Sequence, residues 1–286
     1  LLPISEAMAY KKQNLPMPYL SKLQGSMSPG QCLFIKGVVT GSTRFDVTLH
    51  TGPNVAGANR DDIAFCLSAR IEEGKFVLNS LKNGEWGKEE RHKINLKQNE
   101  QFDIRIRAHE ELFEVWSQGK EVAKFDYRLP LVSVNHIYVV GEIELHRCAW
   151  EGRYYPVPFQ TAIPPGALTA GKGLYIAGVV EKKAERFEVD LKAANDFVLH
   201  FNPRFKDKKV IRNTCRGGTW DDVEERDGEY PFTKDRAFEL IFEVENDAFK
   251  VYVDGEEFCQ YRHRLPPSSI DNLVIEGDVD LQGIHW

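Results

Sequence analysis

The sequence predicts an all-β protein built from two β-sandwich domains in tandem. Three observations lead to this prediction: one long internal repeat, short segments in which apolar and polar residues alternate, and the absence of long amphipathic helical patterns. Alternation with a period of two is typical of strands that bury one face. Many short strands separated by Gly- and Pro-containing turns favour a sandwich or a jelly roll.

The internal repeat sets the domain organisation. Residues 34–39 (FIKGVV) return at 175–180 as YIAGVV, and the Arg-Leu-Pro triplet at 128–130 returns at 264–266. Each half closes on a tryptophan, Trp150 or Trp286. Two copies with so long a period indicate a duplicated domain rather than a solenoid. We therefore expect one domain at residues 1–150 and a second at residues 151–286.

Several strands can be placed directly in both halves. Residues 102–107 (FDIRIR) alternate apolar and polar side chains, and residues 136–140 (HIYVV) form an apolar run rich in β-branched residues. In the second half, residues 249–253 and 256–258 flank an Asp-Gly pair. An Asp-Gly pair between two strand-like segments predicts a tight hairpin.

Composition excludes several classes of partner. The net charge of −6 argues against nucleic acid or an anionic membrane surface. No apolar run reaches the ~18 residues of a membrane-spanning helix, and residues 1–17 are too polar for a secretory leader. The five cysteines are odd in number and form no CxxC pair, which predicts reduced thiols rather than disulfides or a zinc site. We expect a cytoplasmic protein with no metal, no cofactor and no membrane insertion.

The second half carries the stronger candidate site. Residues 197–205 (FVLHFNPRF) alternate apolar and polar side chains. Because successive side chains on a strand point to opposite faces, the pattern predicts an apolar set directed to the core: Phe197, Leu199, Phe201 and Phe205. The opposite, open face then carries three polar groups: His200, Asn202 and Arg204. Four more candidates follow along the chain: Asn213, Trp220, Glu224 and Arg226.

These residue types suit a sugar. A pyranose ring has an apolar face of C–H groups that can stack on the flat indole of Trp220. An axial hydroxyl leaves more of that face free, which favours galactose over glucose. Mixed donors and acceptors can satisfy hydroxyls in fixed positions, and Glu224 can also hold an arginine through charge-assisted hydrogen bonds. The expected chemistry is recognition of a neutral sugar.

The same residues carry a family resemblance. The run HFNPR at 200–204, followed by Asn213, Trp220 and the EER run at 224–226, resembles the galectin carbohydrate-recognition signature, and the resemblance covers nearly the whole chain. It implies two concanavalin-like jelly-roll sandwiches that bind β-galactosides on glycans, glycoproteins or glycolipids without catalysis. It also implies export by a non-classical route. The residues implied as galactoside contacts are His200, Asn202, Arg204, Ile211, Asn213, Trp220, Glu224 and Arg226. One departure is an extra residue between Trp220 and Glu224, which is expected to shift the aromatic floor.

The first half carries an altered version of the signature. Cys66 stands where the second half has His200, and Ser68 stands where it has Asn202. The residues implied for this site are Arg70, Asn79, Trp86, Glu89 and Arg91, together with Ser68 and the loop residue His50. The sequence therefore predicts a bivalent lectin with a complete second site and an altered first site. In an alternative reading, only the second domain binds galactoside, and the first serves a different glycan or a protein partner.

A glycoside hydrolase is the rival from another class. That chemistry needs two carboxylates flanking the scissile bond. Glu224 and Glu225 are adjacent on a strand and so are expected to point to opposite faces. Only one carboxylate of the motif can then face a sugar, which favours binding without catalysis.

Overall fold

The computed structural model of the chain describes residues 14–286. The start of the predicted 1–150 domain, and most of the polar stretch before residue 17, lie outside the described residues. The described chain separates into two compact units, 14–153 and Tyr154–Trp286. None of the helices in the described part of the chain is long and apolar enough to cross a membrane.

The first unit consists of strands and one short 3-10 helix, Leu131–Ser133. Its strands are β1 (Tyr19–Lys22), β2 (Cys32–Val39), β3 (Arg44–His50), β4 (Ile63–Arg70), β5 (Lys75–Lys82), β6 (Glu85–Trp86), β7 (Glu90–Lys93), β8 (Gln101–Ala108), β9 (Leu112–Ser117), β10 (Lys120–Asp126), β11 (His136–Gly141) and β12 (Ile143–Glu151). They form two antiparallel sheets. One has the order β1-β11-β3-β4-β5-β6, with β7 also paired to β5, and the other has the order β10-β9-β8-β2-β12.

The second unit repeats this design, again with one short 3-10 helix, Pro267–Ser269. Its strands are β13 (Phe159–Ala162), β14 (Gly173–Val180), β15 (Phe187–Ala193), β16 (Asp196–Arg204), β17 (Lys209–Arg216), β18 (Thr219–Trp220), β19 (Arg236–Val244), β20 (Ala248–Val253), β21 (Glu256–Arg262), β22 (Asn272–Gly277) and β23 (Val279–His285). The six-stranded sheet has the order β13-β22-β15-β16-β17-β18, and the five-stranded sheet has the order β21-β20-β19-β14-β23.

An apolar core lies between the two sheets of each unit, and it follows from the alternation seen in the sequence. In β8 the apolar residues Phe102, Ile104 and Ile106 are buried in the first core, as the period of two predicts. The predicted hairpin is confirmed: β20 and β21 are joined by Asp254 and Gly255, both with positive φ. That is the backbone conformation required by the tight turns that suit the twist of a hairpin. The prediction of two all-β sandwich domains is confirmed.

Candidate functional site

A groove of about 650 Å³ crosses the outer face of the six-stranded sheet in the second unit. Seven of the eight residues predicted for the second site line this groove: His200, Arg204, Ile211, Asn213, Trp220, Glu224 and Arg226. They come from β16, β17, β18 and the segment after β18. Antiparallel pairing of neighbouring strands brings them together, since residues far apart in sequence share one face of the sheet.

His200 is oriented by a carboxylate on the neighbouring strand. Its Nδ1 lies 2.6 Å from Oδ1 of Asp190, which is its cross-strand partner on β15. Asp190 is an acceptor, so Nδ1 carries the proton in this pair, and in the neutral ring Nε2 is left as an acceptor. With Glu188, these two residues bring three potential metal ligands within 4.8 Å of one another. The hydrogen bond already accounts for the Asp190–His200 contact, and we assign no metal to this cluster.

Asn202 lies beneath the groove rather than in its wall. The side chain is fully buried; its Nδ2 donates to the Phe187 carbonyl at 2.7 Å, and its Oδ1 accepts from Nε of Arg204, also at 2.7 Å. The predicted direct contact between Asn202 and a ligand stays a prediction, because both ends of this amide are engaged inside the protein. Asn202 thus holds Arg204, which lines the groove and whose two Nη groups have no hydrogen-bond partner within residues 14–286.

Trp220 provides an exposed aromatic surface, with 44% of the side chain accessible. The prediction that Phe197 joins the core is wrong: Phe197 lines the groove, and its ring lies 5.1 Å from Trp220. Between Phe197 and His200, β16 carries one residue more than its partner β17, which is a β-bulge. The bulge turns Phe197 outward and places Val198 in the core.

The extra residue between Trp220 and Glu224 leaves the strand register unchanged. Trp220 pairs with Cys215, two residues after Asn213, as Trp86 pairs with the residue two after Asn79. The segment beyond it is again in the equivalent register in both domains. The carbonyls of Asp221 and Val223 accept the hydrogen bonds that those of Gly87 and Lys88 accept in the first domain, so the added residue is Asp222. The expected shift of the aromatic floor is therefore not seen in the pairing.

Several groove residues were missed by the sequence reasoning. They are Arg186, Glu188, Asp190, Lys192, Phe197, Asp221, Asp222, Val274 and Glu276. A usable signal existed on β15, where the polar residues Glu188, Asp190 and Lys192 alternate with buried apolar residues. The same period of two that identified β16 would have placed them on the open face.

Arg264 is a further residue that the site depends on. It lies between β21 and β22, outside the six-stranded sheet. Its Nη1 donates to Oδ1 of Asn213 at 2.9 Å and to the Val223 carbonyl at 2.7 Å, and its Nη2 donates to Glu225 at 2.9 Å. The repeated Arg-Leu-Pro triplet was the sequence signal for this residue, although nothing in the triplet indicates its target.

The first unit places its candidate residues on the equivalent sheet face. Trp86 is 49% exposed, and the Arg60 guanidinium lies 5.5 Å from its ring centre. Arg70 and Arg91 each donate to both Glu73 and Glu89, which forms a closed ring of four charges. Hydrogen bonding from Arg91 holds the pKa of Glu89 below its usual value. In this domain both candidate arginines, Arg70 and Arg91, are therefore paired with carboxylates.

Cys66 and Ser68, which stand where the second domain has His200 and Asn202, change the wall of the first site. Cys66 forms a small buried cluster with Ile63 and Leu81, and burial raises the pKa of its thiol to about 12. Ser68 is buried with no hydrogen-bond partner for its hydroxyl among the described residues, and Oδ1 of its cross-strand neighbour Asp46 is also unpaired there. Both atoms are buried, so neither presents a hydrogen-bonding group at the surface of this wall.

His50 ends β3 and is almost completely buried. Its Nε2 lies 2.9 Å from the hydroxyl of Thr48, the residue that pairs with Cys66. Burial lowers the pKa of His50 to about 4, and the positive charge of Arg60 contributes in the same direction. His50 is therefore a neutral residue at the back of the first site.

Two sandwich domains, each with an exposed indole among fixed polar groups on an open sheet face, define a lectin of the β-sandwich class. A family model described as galactoside-binding lectin matches residues 18–150 and again residues 158–286. The chain therefore belongs to the galactoside-binding lectin family, the galectins, with two repeats.

Its relatives include full-length tandem proteins. The chain is 42% identical over 284 residues to a 32 kDa beta-galactoside-binding lectin of Haemonchus contortus, covering 99% of both chains. It is 44% identical over 279 residues to a protein of the same description from Caenorhabditis elegans, covering 97% of this chain and 99% of the relative. Human galectin-4 is 28% identical over 313 residues, covering 95% of this chain and 96% of the relative.

Proposed function

We propose that the chain is a bivalent, non-enzymatic lectin for β-galactoside-containing glycans on glycoproteins or glycolipids, with a complete second site and an altered first site. One observation carries the proposal: the second groove places an exposed indole beside fixed hydrogen-bonding groups on one face of one sheet. An indole and a set of oriented polar groups together match the apolar face and the hydroxyls of a pyranose. The names of the nematode relatives agree with this ligand class.

Each group in the second site has a distinct role in the proposal. The galactose ring stacks on Trp220, while Nε2 of His200 accepts from a hydroxyl. Arg204 donates from its Nη groups, and Asn202 acts by holding Arg204. Asn213 donates from its amide. Glu224 accepts from a hydroxyl while it receives a hydrogen bond from Arg226, and Ile211 supplies an apolar contact at the groove wall.

Titration of the full chain with lactose in a calorimeter tests the second site. The Trp86→Ala variant isolates it by removing the aromatic floor of the first site. An open groove predicts a dissociation constant between about micromolar and millimolar, or roughly −4 to −8 kcal/mol. No heat with lactose and none with a panel of other β-galactosides would contradict the proposal.

A different preference is proposed for the first site. The apolar cluster of Ile63, Cys66 and Leu81, together with the unpaired hydroxyl of Ser68, alters the wall next to Trp86. We propose that this site binds lactose more weakly and favours a substituted or differently linked galactoside. A glycan array probed with the Trp220→Ala chain tests this. Binding of no glycan by that variant would favour the alternative, in which the first domain serves a protein partner.

Binding without bond cleavage is proposed for both sites. Glu225 is held by Arg264 behind the groove, while Glu224 lines it. The motif thus supplies one carboxylate to the groove, and of the other carboxylates that line it Asp190 and Asp221 are engaged by His200 and Arg216. The remaining three, Glu188, Asp222 and Glu276, lie outside the motif, so an assay must decide whether any of them acts with Glu224 as the pair that glycoside hydrolysis needs. Incubation with lactose followed by an assay for free galactose tests this point, and release that scales with protein concentration would contradict it.

We also propose that the protein resides in the cytoplasm and reaches the cell exterior by a non-classical route. The five cysteines are free, and burial raises the pKa of four of their thiols to about 12: Cys32, Cys66, Cys148 and Cys259. Unpaired thiols are typical of reducing compartments. Mass spectrometry of native protein tests the proposal, and two ordered disulfides would contradict it.

A further inference from the structure

The two domains share one contact set that lies outside the predicted binding residues. In the second domain Arg264 donates to Oδ1 of Asn213, to a loop carbonyl and to Glu225. In the first domain Arg128 makes the same three contacts: Oδ1 of Asn79 at 3.0 Å, the Lys88 carbonyl at 2.9 Å and Glu90 at 2.7 Å. The set is retained in the first domain although two of its groove residues differ from those of the second.

Packing against an aromatic ring holds the guanidinium of Arg264, and that of Arg128, in place. It packs over the ring of Tyr261 at 4.8 Å in the second domain and over Phe125 at 4.5 Å in the first. Most of the Arg264 side chain is buried, with 15% exposed. A planar guanidinium presents several donors in a rigid fork. Its orientation therefore determines which atoms of its partners turn toward it.

The contact orients the asparagine amide. Oδ1 of Asn213 accepts from the Thr214 backbone N–H at 2.8 Å and from Arg264, and Nδ2 donates to the Asp221 carbonyl at 3.1 Å. Oδ1 thus receives two donors. If the amide were rotated by 180°, its NH2 group would face these two N–H donors and no hydrogen bond could form there. One hydrogen of Nδ2 remains for the groove, so the asparagine offers a donor there and no acceptor.

The same guanidinium also fixes the segment that carries Glu224. Its hydrogen bonds to the Val223 carbonyl and to Glu225 hold the residues on either side of Glu224. One side chain thus sets the distance between the asparagine on β17 and the carboxylate after β18. Both groups line the groove, whereas Arg264 itself does not.

We propose that Arg264, and Arg128 in the first domain, are positioning residues that turn the NH2 group of the asparagine toward the groove. At this point each site therefore donates a hydrogen bond to an oxygen of the ligand. The inference rests on the proposed function, because the ligand is taken to be a galactoside. It adds a determinant of specificity: a ligand group that can only donate is rejected at this position, because its proton would meet the amide NH2.

A double-mutant cycle in the full chain tests this mechanism, with Trp86→Ala present throughout. Arg264→Met is expected to weaken lactose binding about tenfold or more, since it releases buried hydrogen-bonding groups. In an Asn213→Ala background the same substitution should cost clearly less, because the asparagine that Arg264 orients is gone and only its contacts to Val223 and Glu225 are left to lose. Arg262→Met, which changes an exposed arginine on β21, is the matched control and should leave affinity unchanged. Full additivity of the two losses would overturn the proposal.

Two further measurements separate positioning from a purely structural role. Arg264→Lys keeps the charge and should fold, but lacks the fork; binding equal to the parent would overturn the proposal. The side-chain amide of Asn213, followed by NMR without ligand, should be protected from exchange in the parent and exposed in the Arg264 variants. An unchanged amide signal would overturn the inference even if lactose were not the ligand, whereas failure of the parent to bind any galactoside would overturn only the proposed function.

Discussion

Trp86 and Trp220 occupy equivalent register positions, yet the side chains around them differ. Trp220 lies 5.1 Å from both His200 and Phe197, whereas Trp86 has Arg60 over its ring and an apolar cluster nearby. The exposed tryptophan and the arginine that holds the neighbouring asparagine are common to both domains. The comparison teaches that these two features can be retained while the polar wall beside the tryptophan changes.

The two domains also hold their Glu-x-Arg segments in different ways. In the first domain this segment runs into β7, which begins at Glu90 and pairs with β5 over four residues. In the second domain a single bridge joins Arg212 to Glu225, and the fully buried Arg212 side chain ion-pairs with Asp227. Leu78 occupies the matching position in the first domain. The first segment lies in a backbone ladder, whereas the second is held by a single bridge and by the side chains of Arg212 and Arg264.

The largest expected effect comes from removing the floor. Trp220→Ala in the full chain should weaken lactose binding at the second site on the order of a hundredfold, because both stacking and apolar burial are lost. Trp86→Ala should remove only the weaker binding phase. Calorimetry measures both phases, and Val223→Ala, at an exposed side chain near the groove, is the control. Equal losses from the two tryptophan substitutions would remove the proposed inequality of the sites.

Rebuilding the first wall should produce the next largest effect. Cys66→His with Ser68→Asn restores two polar contacts worth about 0.5–1.5 kcal/mol each, which predicts a gain of roughly five- to a hundredfold in lactose affinity. In the second domain Asp190 orients His200, whereas in the first domain Thr48 stands at the position of Asp190. The triple variant with Thr48→Asp should therefore exceed the double variant. Titration in a Trp220→Ala background measures both, and no gain in either would mean that the 51–62 loop sets the difference.

A smaller loss is expected when the side-chain tie in the second domain is cut. Arg212→Leu copies the first domain at this position and releases Asp227 and Glu225. Lactose affinity should fall about three- to tenfold, while the melting temperature changes little, because the carboxylate partners Asp227 and Glu225 are accessible to water and are not left as buried charges when Arg212 is removed. Calorimetry and thermal unfolding of the same samples test this. Unchanged affinity would show that the backbone bridge and Arg264 hold the segment without Arg212.

The last expected effect concerns stability rather than affinity and is a pH dependence in the first domain. The pKa of His50 is lowered from 6.5 to about 4 in the folded state. Unfolded chains take up this proton below pH 6.5, so the stability from neutral His50 is complete above that pH and is lost as the pH falls toward 4. The slope is at most about 1.4 kcal/mol per pH unit. NMR titration should place the pKa near 4, and His50→Gln should flatten the unfolding profile over this window; a titration near 6.5 would contradict it.

Alternation carried most of the sequence prediction because it reports directly which face of a strand is buried. It placed His200 and Arg204 on the open face, and both line the groove. It failed at Phe197, because a β-bulge adds a residue that no local pattern reveals. It also gave no access to Arg264, whose hydrogen bonds to Asn213 span 51 residues of sequence. The period of two along a strand thus predicts which sheet face a side chain lies on. Strand register and contacts between distant residues can be determined only from the folded structure.

The exposure of Trp86 and Trp220 makes each site its own spectroscopic reporter. Of the five tryptophans, these two are the most exposed among the described residues. A soluble quencher such as acrylamide reaches exposed indoles first, and a sugar stacked on the ring shields it. Emission from a Trp86→Ala chain therefore follows occupancy of the second groove, and emission from a Trp220→Ala chain follows the first. We therefore expect these two exposed tryptophans to report ligand binding at each groove separately, without any attached label.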